Sequence, residues 1–300
     1  MIERWMKMND GHEIFIREWN SGTAQTLVIA HGMAEHSLRY QHFAQFLNEH
    51  GYNVLAMDLR GHGRTSEKNG QRGYIQESNG WQRLMMDLET IINSVDGQVH
   101  LFGHSMGAIL ASSASSNCKV NLQSLVLSAH ANHPGMLLTA GKIMSRTLGT
   151  LSKCSRESSI MDSLTFGEFN KPFKPNRTKF DWLSRDHAQV DRYISDPDCG
   201  EMFSHQFFHD LLTGVGISFS SLKKPGLSCP TLILSGSDDP VVGFEKGFKN
   251  TVKRFETSGR KYNQTVKNHS FKSSRHEILN EINRDQVYQF ILTYLNEKSA

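Results

Sequence analysis

The 300-residue chain has few cysteines and no long hydrophobic run. Its four cysteines, Cys118, Cys154, Cys199 and Cys229, are far apart and form no C-x-x-C pair. This argues against a disulfide framework or a zinc site and indicates free thiols in a reducing compartment. No segment approaches the roughly 18 apolar residues of a membrane span, and the N-terminus lacks the apolar core of a signal peptide. We therefore expect a cytoplasmic protein, with peripheral contact to a membrane left open.

The chain also lacks a large excess of either positive or negative charge. There are 33 Lys and Arg residues against 30 Asp and Glu residues, which gives a net charge of +3. The basic residues are spread along the chain without a long run, so nothing indicates a nucleic-acid partner. The hydrophobic fraction of 38% is sufficient for a sizeable core. A chain of this length suits one large α/β domain with an insertion, or two domains.

Apolar runs alternate with amphipathic segments along most of the chain. Short apolar runs at 26–30, 53–57, 99–102, 125–127 and 230–234 predict buried strands. Apolar residues at helical spacing predict helices at 40–50, 79–93 and 278–295. Strands that alternate with helices indicate a mostly parallel sheet flanked by helices, with right-handed crossovers. The fold class is therefore predicted to be α/β.

The alternation of strands and helices breaks after about residue 133. Helical segments are predicted at 136–151 and 203–214, an irregular segment at 166–180, and no strong strand until 230. We predict a first part of the core at 1–132, a helical lid inserted at 133–229, and a second part of the core at 230–300. Because ligands of open α/β sheets bind at the carboxyl edge of the strands, the lid is expected to cover that edge.

The most informative motif is Gly103-His104-Ser105-Met106-Gly107. A predicted strand precedes it and a helix rich in small residues follows it, which is the context of a nucleophile elbow. The turn strains the serine backbone, so Gly103 and Gly107 keep its surroundings free of bulk. The motif predicts Ser105 as a catalytic nucleophile, with the positive end of the following helix available to a developing oxyanion.

A serine nucleophile needs a base and a group that orients the base. Asp238 and Asp239 follow the strand at 230–234, and His276 follows a further strand candidate at 264–267. The order Ser, Asp, His is that of the α/β-hydrolase triad. His276 is predicted as the base. Asp239 is favoured as the acid because it precedes a proline and is restricted to extended conformations, although turn chemistry alone leaves Asp238 open.

The oxyanion hole requires two converging backbone N–H groups. One is predicted at Met106, the residue after the nucleophile, and the other at Met33, in the loop after the strand at 26–30. Four polar residues are interpreted as a network that fixes this loop, namely Glu35, His36, Arg39 and Arg60. Three methionines, Met33, Met106 and Met136, are candidates for lining an acyl pocket, with simple core filling as the alternative.

Several motifs together resemble one branch of the α/β hydrolases, the monoacylglycerol lipases and lysophospholipases, which have a serine aminopeptidase S33-like domain. They are His-Gly-Met-Ala-Glu-His-Ser at 31–37, Arg-Gly-His-Gly at 60–63, Gly-His-Ser-Met-Gly at 103–107, Gly-Ser-Asp-Asp at 236–239, and His276. Asp-Trp-Leu-Ser-Arg-Asp at 181–186, followed by Ser-Asp-Pro at 195–197, also resembles a lid signature of that branch. The resemblance implies an α/β-hydrolase fold, with Asp239 as the acid and Met33 and Met106 as oxyanion donors.

The function predicted is a serine carboxylester hydrolase that acts through an acyl-enzyme. The expected substrate is a monoacylglycerol or a lysophospholipid, and no metal or organic cofactor is needed. A thioesterase or small-ester carboxylesterase is the alternative among enzymes. A catalytically silent binding protein on the same fold is the alternative of another class. The amphipathic helix at 136–151 and the aromatic-rich stretch at 203–208 indicate that the insertion is a mobile lid. Its apolar face is expected to cover the acyl chain and to touch a membrane surface transiently, with a rigid cap as the alternative.

Overall fold

The computed structural model describes residues 1–70, 72–133 and 135–299. The strands are β1 (Ile2–Lys7), β2 (Glu13–Trp19), β3 (Gln25–Ala30), β4 (Asn53–Met57), β5 (Gln98–His104), β6 (Ser124–Ser128), β7 (Thr231–Gly236) and β8 (Val266–Phe271). The helices are α1 (Gln41–Glu49), α2 (Gly63–Asn69), α3 (Gly80–Asn93), α4 (Met106–Asn117), α5 (Leu137–Leu151), α6 (Ser159–Phe166), α7 (His187–Ser195), α8 (His205–Ser221), α9 (Phe244–Tyr262) and α10 (Arg284–Ser299).

The strands form one sheet of eight in the order β1-β2-β4-β3-β5-β6-β7-β8. From β4 to β8 neighbouring strands run parallel, while β2 is antiparallel to both β1 and β4. The predicted mostly parallel sheet is therefore confirmed. The β1–β2 hairpin covers one edge, and its connection contains Asp10-Gly11, a pair favoured in hairpin turns.

The central strands are buried on both faces, so successive side chains enter two different cores. On β5, Leu101 packs in one core and Phe102 in the other. The first core is completed by side chains of α3, α4, α8 and α9, and the second by side chains of α1 and α10. The sheet thus lies between two helical layers, and the carboxyl ends of its parallel strands meet at one edge.

The structure differs from the sequence-based predictions at three helices. Helix α2 was not predicted, and the last helix begins at Arg284 because residues 278–280 form a separate 3₁₀ turn. The nineteen-residue α9 was not predicted, since its mostly polar sequence contains only a narrow apolar stripe. That stripe, Phe248, Val252 and Phe255, has helical spacing and is the signal that could have found it.

The segment between β6 and β7 contains α5 to α8, in agreement with a helical insertion. Two of these helices, α6 and α7, were not predicted. Phe207, Phe208 and Phe219 of α8 belong to the same core as α3 and α4. The insertion is therefore packed onto the sheet layer through α8. The boundaries at 132/133 and 229/230 stay predictions, and the predicted segments include Pro134 and Ala300, which lie outside the described residues.

Candidate active site

Ser105 lies at a strained turn between β5 and α4. Its φ of 53° and ψ of −116° fall in a region that residues with a side chain rarely adopt. A Cβ on Gly103 would overlap the carbonyl of Gly107, and a Cβ on Gly107 would overlap the carbonyl of Ala30. Only glycine fits at these two positions, so the G-x-S-x-G pattern follows from the close approach of α4 to the sheet.

Asp239 and His276 meet at the same edge of the sheet. The Asp239 carboxylate accepts a hydrogen bond from His276 Nδ1 at 2.9 Å and another from the backbone N–H of Val241 at 2.8 Å. Asp239 is fully buried. The carboxylate of Asp238 points elsewhere and accepts from the hydroxyl of Ser237. The structure thus brings Asp239, and not Asp238, to His276; its catalytic role stays a prediction.

The pKa of His276 reflects two opposing effects. Burial alone lowers the pKa of this imidazole, but the charge and hydrogen bond of Asp239 outweigh it and raise the pKa above its ordinary value. The ring of His104 lies 4.8 Å from the His276 ring between centroids. Burial lowers the pKa of His104 to about 4, and the charge of His276 adds to this effect. His104 is therefore a neutral neighbour near pH 7.

Ser105 and His276 line one cavity, although within the described residues no hydrogen bond joins their side chains. Catalytic hydrogen bonds are often long in a ligand-free protein and shorten when substrate binds. With Nδ1 of His276 donating to Asp239, the other ring nitrogen, Nε2, is left as the acceptor. This tautomer is the one that a general base for a serine hydroxyl requires.

The two predicted oxyanion donors also line the cavity. Met106 is the first residue of α4, so its N–H has no partner within the helix. Met33 lies in the loop after β3, and a Cβ on Gly32 would approach the Cβ of Ser105 to 3.3 Å. Neither N–H donates to a backbone carbonyl within the described part of the chain. Both are therefore free to stabilise an oxyanion next to Ser105.

A buried ion network holds the loop that carries Met33. Glu35 Oε1 accepts hydrogen bonds from the N–H of Gly32 at 2.6 Å and from the hydroxyl of Tyr40 at 2.8 Å. Arg39 donates to Glu35 at 2.9 Å and to both oxygens of Glu277 at 2.5 and 2.7 Å. Burial alone raises the pKa of Glu35, but Arg39 and nearby histidines bring it down to about 2. The network links the oxyanion loop to the residue next to His276.

Two interpretations from the sequence are wrong. Arg60 does not belong to the oxyanion-loop network, because its guanidinium pairs with Asp87 and Asp10 and ties the β1–β2 turn to α3. Met136 is 92% exposed and does not line the cavity, whereas Met33 and Met106 do. Glu277 was missed as a network member. Its position beside His276 was the available signal, but its partner Arg39 is 238 positions away.

The cavity has a volume of about 530 Å³ and a largely apolar wall. The core supplies Ser105, His276 and Ile109, and the insertion supplies mainly aromatic and aliphatic residues. The latter include Phe166, Phe169, Phe180, Trp182, Leu211, Leu212 and Val215. They belong to α6, α8 and the segment before α7, and within the described residues α5 contributes none. The insertion therefore supplies an apolar wall as expected, but through these segments and not through the helix at 136–151.

Glu201 is an unexpected member of this wall. Burial raises the pKa of its carboxyl to about 8. Both carboxyl oxygens are buried and find no hydrogen-bond partner within the described residues. A mostly protonated Glu201 adds little charge at pH 7, so this part of the wall is suited to an uncharged ligand.

Part of the insertion is attached directly to the loop of His276. The Trp182 ring lies 5.1 Å from the His276 ring, and the N–H of Glu277 donates to the carbonyl of Leu183 at 2.8 Å. Arg185 donates to the carboxylate of Glu281 at 2.9 Å. The motif at 181–186 thus forms a fixed contact between the insertion and the core.

The parallel sheet between two helical layers, with the strained serine at the end of its central strand, defines an α/β hydrolase. A family model described as serine aminopeptidase, S33 matches residues 22–283. The chain belongs to this family.

Known proteins agree with this assignment. Monoglyceride lipase of Rattus norvegicus is 29% identical over 238 residues, covering 77% of this chain and 71% of that protein. The human enzyme of the same name is 29% identical over 241 residues, with the same coverage. The structure of a carboxyl esterase from Bacillus coagulans in complex with glycerol covers 100% of this chain and 99% of its own, with a TM-score of 0.91 and 22% identity.

These findings confirm the predicted fold and enzyme class, a carboxylic ester hydrolase. The roles of the individual residues and the substrate stay predictions. Among the helices of the described residues, none has the length and apolar content needed to cross a bilayer.

Proposed function

We propose that this protein cleaves single-chain acyl esters, a monoacylglycerol or a lysophospholipid, through an acyl-enzyme formed on Ser105. One observation carries the proposal: Ser105 and His276 open into an apolar cavity of about 530 Å³, with Asp239 hydrogen-bonded behind His276. A cavity of this size and polarity suits an aliphatic chain. The similarity to proteins named monoglyceride lipases supports a glycerol ester as substrate.

In the proposed mechanism, His276 Nε2 takes the hydroxyl proton of Ser105 while Oγ attacks the ester carbonyl carbon. The N–H groups of Met33 and Met106 stabilise the oxyanion of the tetrahedral intermediate. His276 then gives its proton to the leaving alcohol, and the acyl group stays on Ser105. Water then attacks this acyl-enzyme while His276 takes its proton, and His276 returns that proton to Ser105 Oγ as the fatty acid leaves. Asp239 orients the imidazole and stabilises its charged form, and no step requires a metal or organic cofactor.

Hydrolysis of a substrate panel tests this proposal. The panel consists of a monoacylglycerol, a lysophospholipid and an acyl-thioester with the same acyl chain, together with a short acetate ester. We expect the highest kcat/KM for the monoacylglycerol or the lysophospholipid, and labelling of Ser105 by a fluorophosphonate probe. Preference for the thioester or the acetate would favour the alternative enzymes, and absence of labelling in a folded protein would favour a silent binding protein.

We also propose that the segment at 133–229 acts as a cap that touches a lipid surface transiently. Five aliphatic side chains of α5 and α6 are more than half exposed, namely Leu137, Ile143, Leu151, Ile160 and Leu164. Aliphatic residues spaced along an exposed helix favour insertion at a bilayer interface. Such a contact would bring the cavity close to lipid substrates.

A matched pair of substitutions tests the lipid contact. Ile143 and Ile282 are 63% and 64% exposed, but only Ile143 lies in the insertion. We expect Ile143→Ser to lower hydrolysis of monoacylglycerol dispersed in vesicles several-fold, because an apolar contact with the bilayer is lost. Hydrolysis of a soluble acetate should not change, and Ile282→Ser should alter neither rate. An equal effect of both substitutions on the vesicle assay would contradict the proposed contact.

A further inference from the structure

Three potential metal ligands meet outside the cavity that contains Ser105. His36 follows the oxyanion loop, Asp196 follows directly after α7, and Cys199 is three residues further on. One ligand atom of each residue lies within 4.8 Å of those of the other two. His36 Nε2 is 2.9 Å from Asp196 Oδ2. The fold thus joins two parts of the chain whose spacing gives no metal-binding motif.

The three donor atoms match the preferences of zinc. An imidazole nitrogen, a carboxylate oxygen and a thiolate sulfur all bind Zn²⁺, at about 2.0–2.3 Å. Donors around a tetrahedral ion with such bonds lie roughly 3.3–3.8 Å apart. Because the donor atoms lie no more than 4.8 Å apart, the site can form with a shift of Cys199 of at most about 1.5 Å, while the contact between His36 and Asp196 lengthens slightly.

The charges around these residues favour a cation. Arg39 and Arg192 are the guanidinium groups beside the cluster, and Arg39 is already paired with Glu35 and Glu277. Together with Asp196, these give three carboxylates against two guanidinium groups. Burial raises the pKa of the Cys199 thiol, and a bound divalent ion has the opposite effect because it stabilises the thiolate. The thiol proton would leave to solvent when the sulfur binds the ion.

An ion can reach His36 and Asp196 from solvent. A second cavity of about 190 Å³ is lined by His36 and Asp196, with Gln189 and Arg192 at its wall. It has room for water at the remaining position of a tetrahedral ion. Asp196 is also held in place, since its other oxygen accepts a hydrogen bond from the N–H of Asp198 at 2.9 Å. The carboxylate is therefore partly ordered before metal binds.

We propose that His36, Asp196 and Cys199 bind a zinc ion with water as the fourth ligand, outside the ester-cleaving site. The ion would connect the oxyanion loop to the segment after α7. These two segments are already joined by the hydrogen bond between His36 and Asp196 and by another from the N–H of Gly200 to the carbonyl of Ala34 at 3.0 Å. The zinc has no part in ester cleavage and acts as a structural link.

Cobalt(II) titration of the metal-free protein tests the site, with zinc as the competitor. We expect one equivalent of Co²⁺ to give a near-ultraviolet thiolate charge-transfer band that Zn²⁺ abolishes, and zinc to raise the Tm. Cys199→Ser should remove the band and weaken zinc binding at least about tenfold, as should Asp196→Asn. Cys154→Ser, which alters another half-buried thiol, should change neither the band nor the affinity.

Three outcomes would overturn the proposal. The first is the absence of a thiolate band at one equivalent of Co²⁺ in wild-type protein. The second is a band that persists in Cys199→Ser. The third is a rise in Tm with zinc that is equal in wild type and in Cys199→Ser, since the ion would then bind elsewhere. Thermal unfolding of each metal-free variant establishes that it is folded before metal is added.

Discussion

The two walls of the main cavity are built differently. On the core wall, Ser105 is fixed by a strained backbone between two glycines, and His276 is hydrogen-bonded to the fully buried Asp239. The insertion wall consists mainly of aromatic and aliphatic side chains, several of them only half-buried, such as Phe169 and Leu211. Catalysis at the core wall depends on the positions of a few atoms. Binding of a chain at the insertion wall depends on the total area of apolar contact.

This difference has a consequence for substitutions. Acyl transfer needs the nucleophile, base and oxyanion donors within a fraction of an ångström of their working positions. Apolar contacts with a chain are roughly additive and non-directional. A change in the core wall should therefore alter hydrolysis of every substrate alike. A change in the insertion wall should alter the preference among substrates.

Ser105→Ala should have the largest effect. It removes the proposed nucleophile, so hydrolysis of every ester is expected to fall by at least about 10⁴-fold. The fold should survive, because alanine and serine both carry a Cβ and experience the same backbone strain at a φ of 53°. Steady-state kinetics and thermal unfolding check these two expectations. Substantial turnover by the folded variant would rule out Ser105 as the nucleophile.

The neighbouring aspartates should differ by orders of magnitude. Asp239→Asn is expected to lower kcat about 10⁴-fold, because the amide no longer stabilises the charged imidazole or its tautomer. Asp238→Asn serves as the matched control and should cost less than about threefold, since its carboxylate contacts Ser237 and not His276. Measurement of kcat for both variants decides between them, and the reverse ranking would mean that the acid is Asp238.

The core wall was largely predictable from local sequence. The strands at 26–30 and 53–57 are continuous apolar runs, and the elbow around Ser105 combines glycine spacing with a preceding strand and a following helix. These signals lie within a few residues of one another. They reflect steric requirements that few other residues satisfy.

The insertion was less predictable because its contacts join distant residues. The short helices α6 and α7 bury few apolar residues, although each has a capping residue that could have marked its start, Ser158 and Asp186. The contact of Trp182 with His276 has no local signal. The same is true of His36 and Asp196, which are 160 positions apart.

The fall of kcat/KM at acidic pH gives a further test of the Asp239–His276 pair in the core wall. His276 must be neutral to accept the serine proton, and Asp239 raises the pKa of His276. The kcat/KM of wild type is therefore expected to fall about tenfold per pH unit below a pKa that is higher than that of an ordinary histidine. Asp239→Asn removes the charge that raises the pKa of His276 but keeps the burial that lowers it. The acid limb of this variant should therefore move to lower pH. The limb of Asp238→Asn should match wild type, and an unchanged limb in Asp239→Asn would exclude this coupling.

The smallest expected effect comes from a substitution in the insertion wall, and it should be confined to long-chain esters. Leu211 lines the cavity, whereas Leu137 is 74% exposed and lies outside it. Leu211→Ser removes about two methylene contacts with a bound chain, at about 0.8 kcal/mol each, which predicts a roughly tenfold lower kcat/KM for long-chain esters.

Acetates should be turned over almost normally by Leu211→Ser, because Ser105, Asp239 and His276 are unchanged. With monomeric substrates, the identical change at Leu137 should leave the chain-length series as in wild type. The measurement is kcat/KM from acetate to long-chain esters below their micellar concentration, with thermal unfolding as a check on folding. An equal loss at every chain length in Leu211→Ser would indicate that α8 only supports the core wall and does not contact the acyl chain.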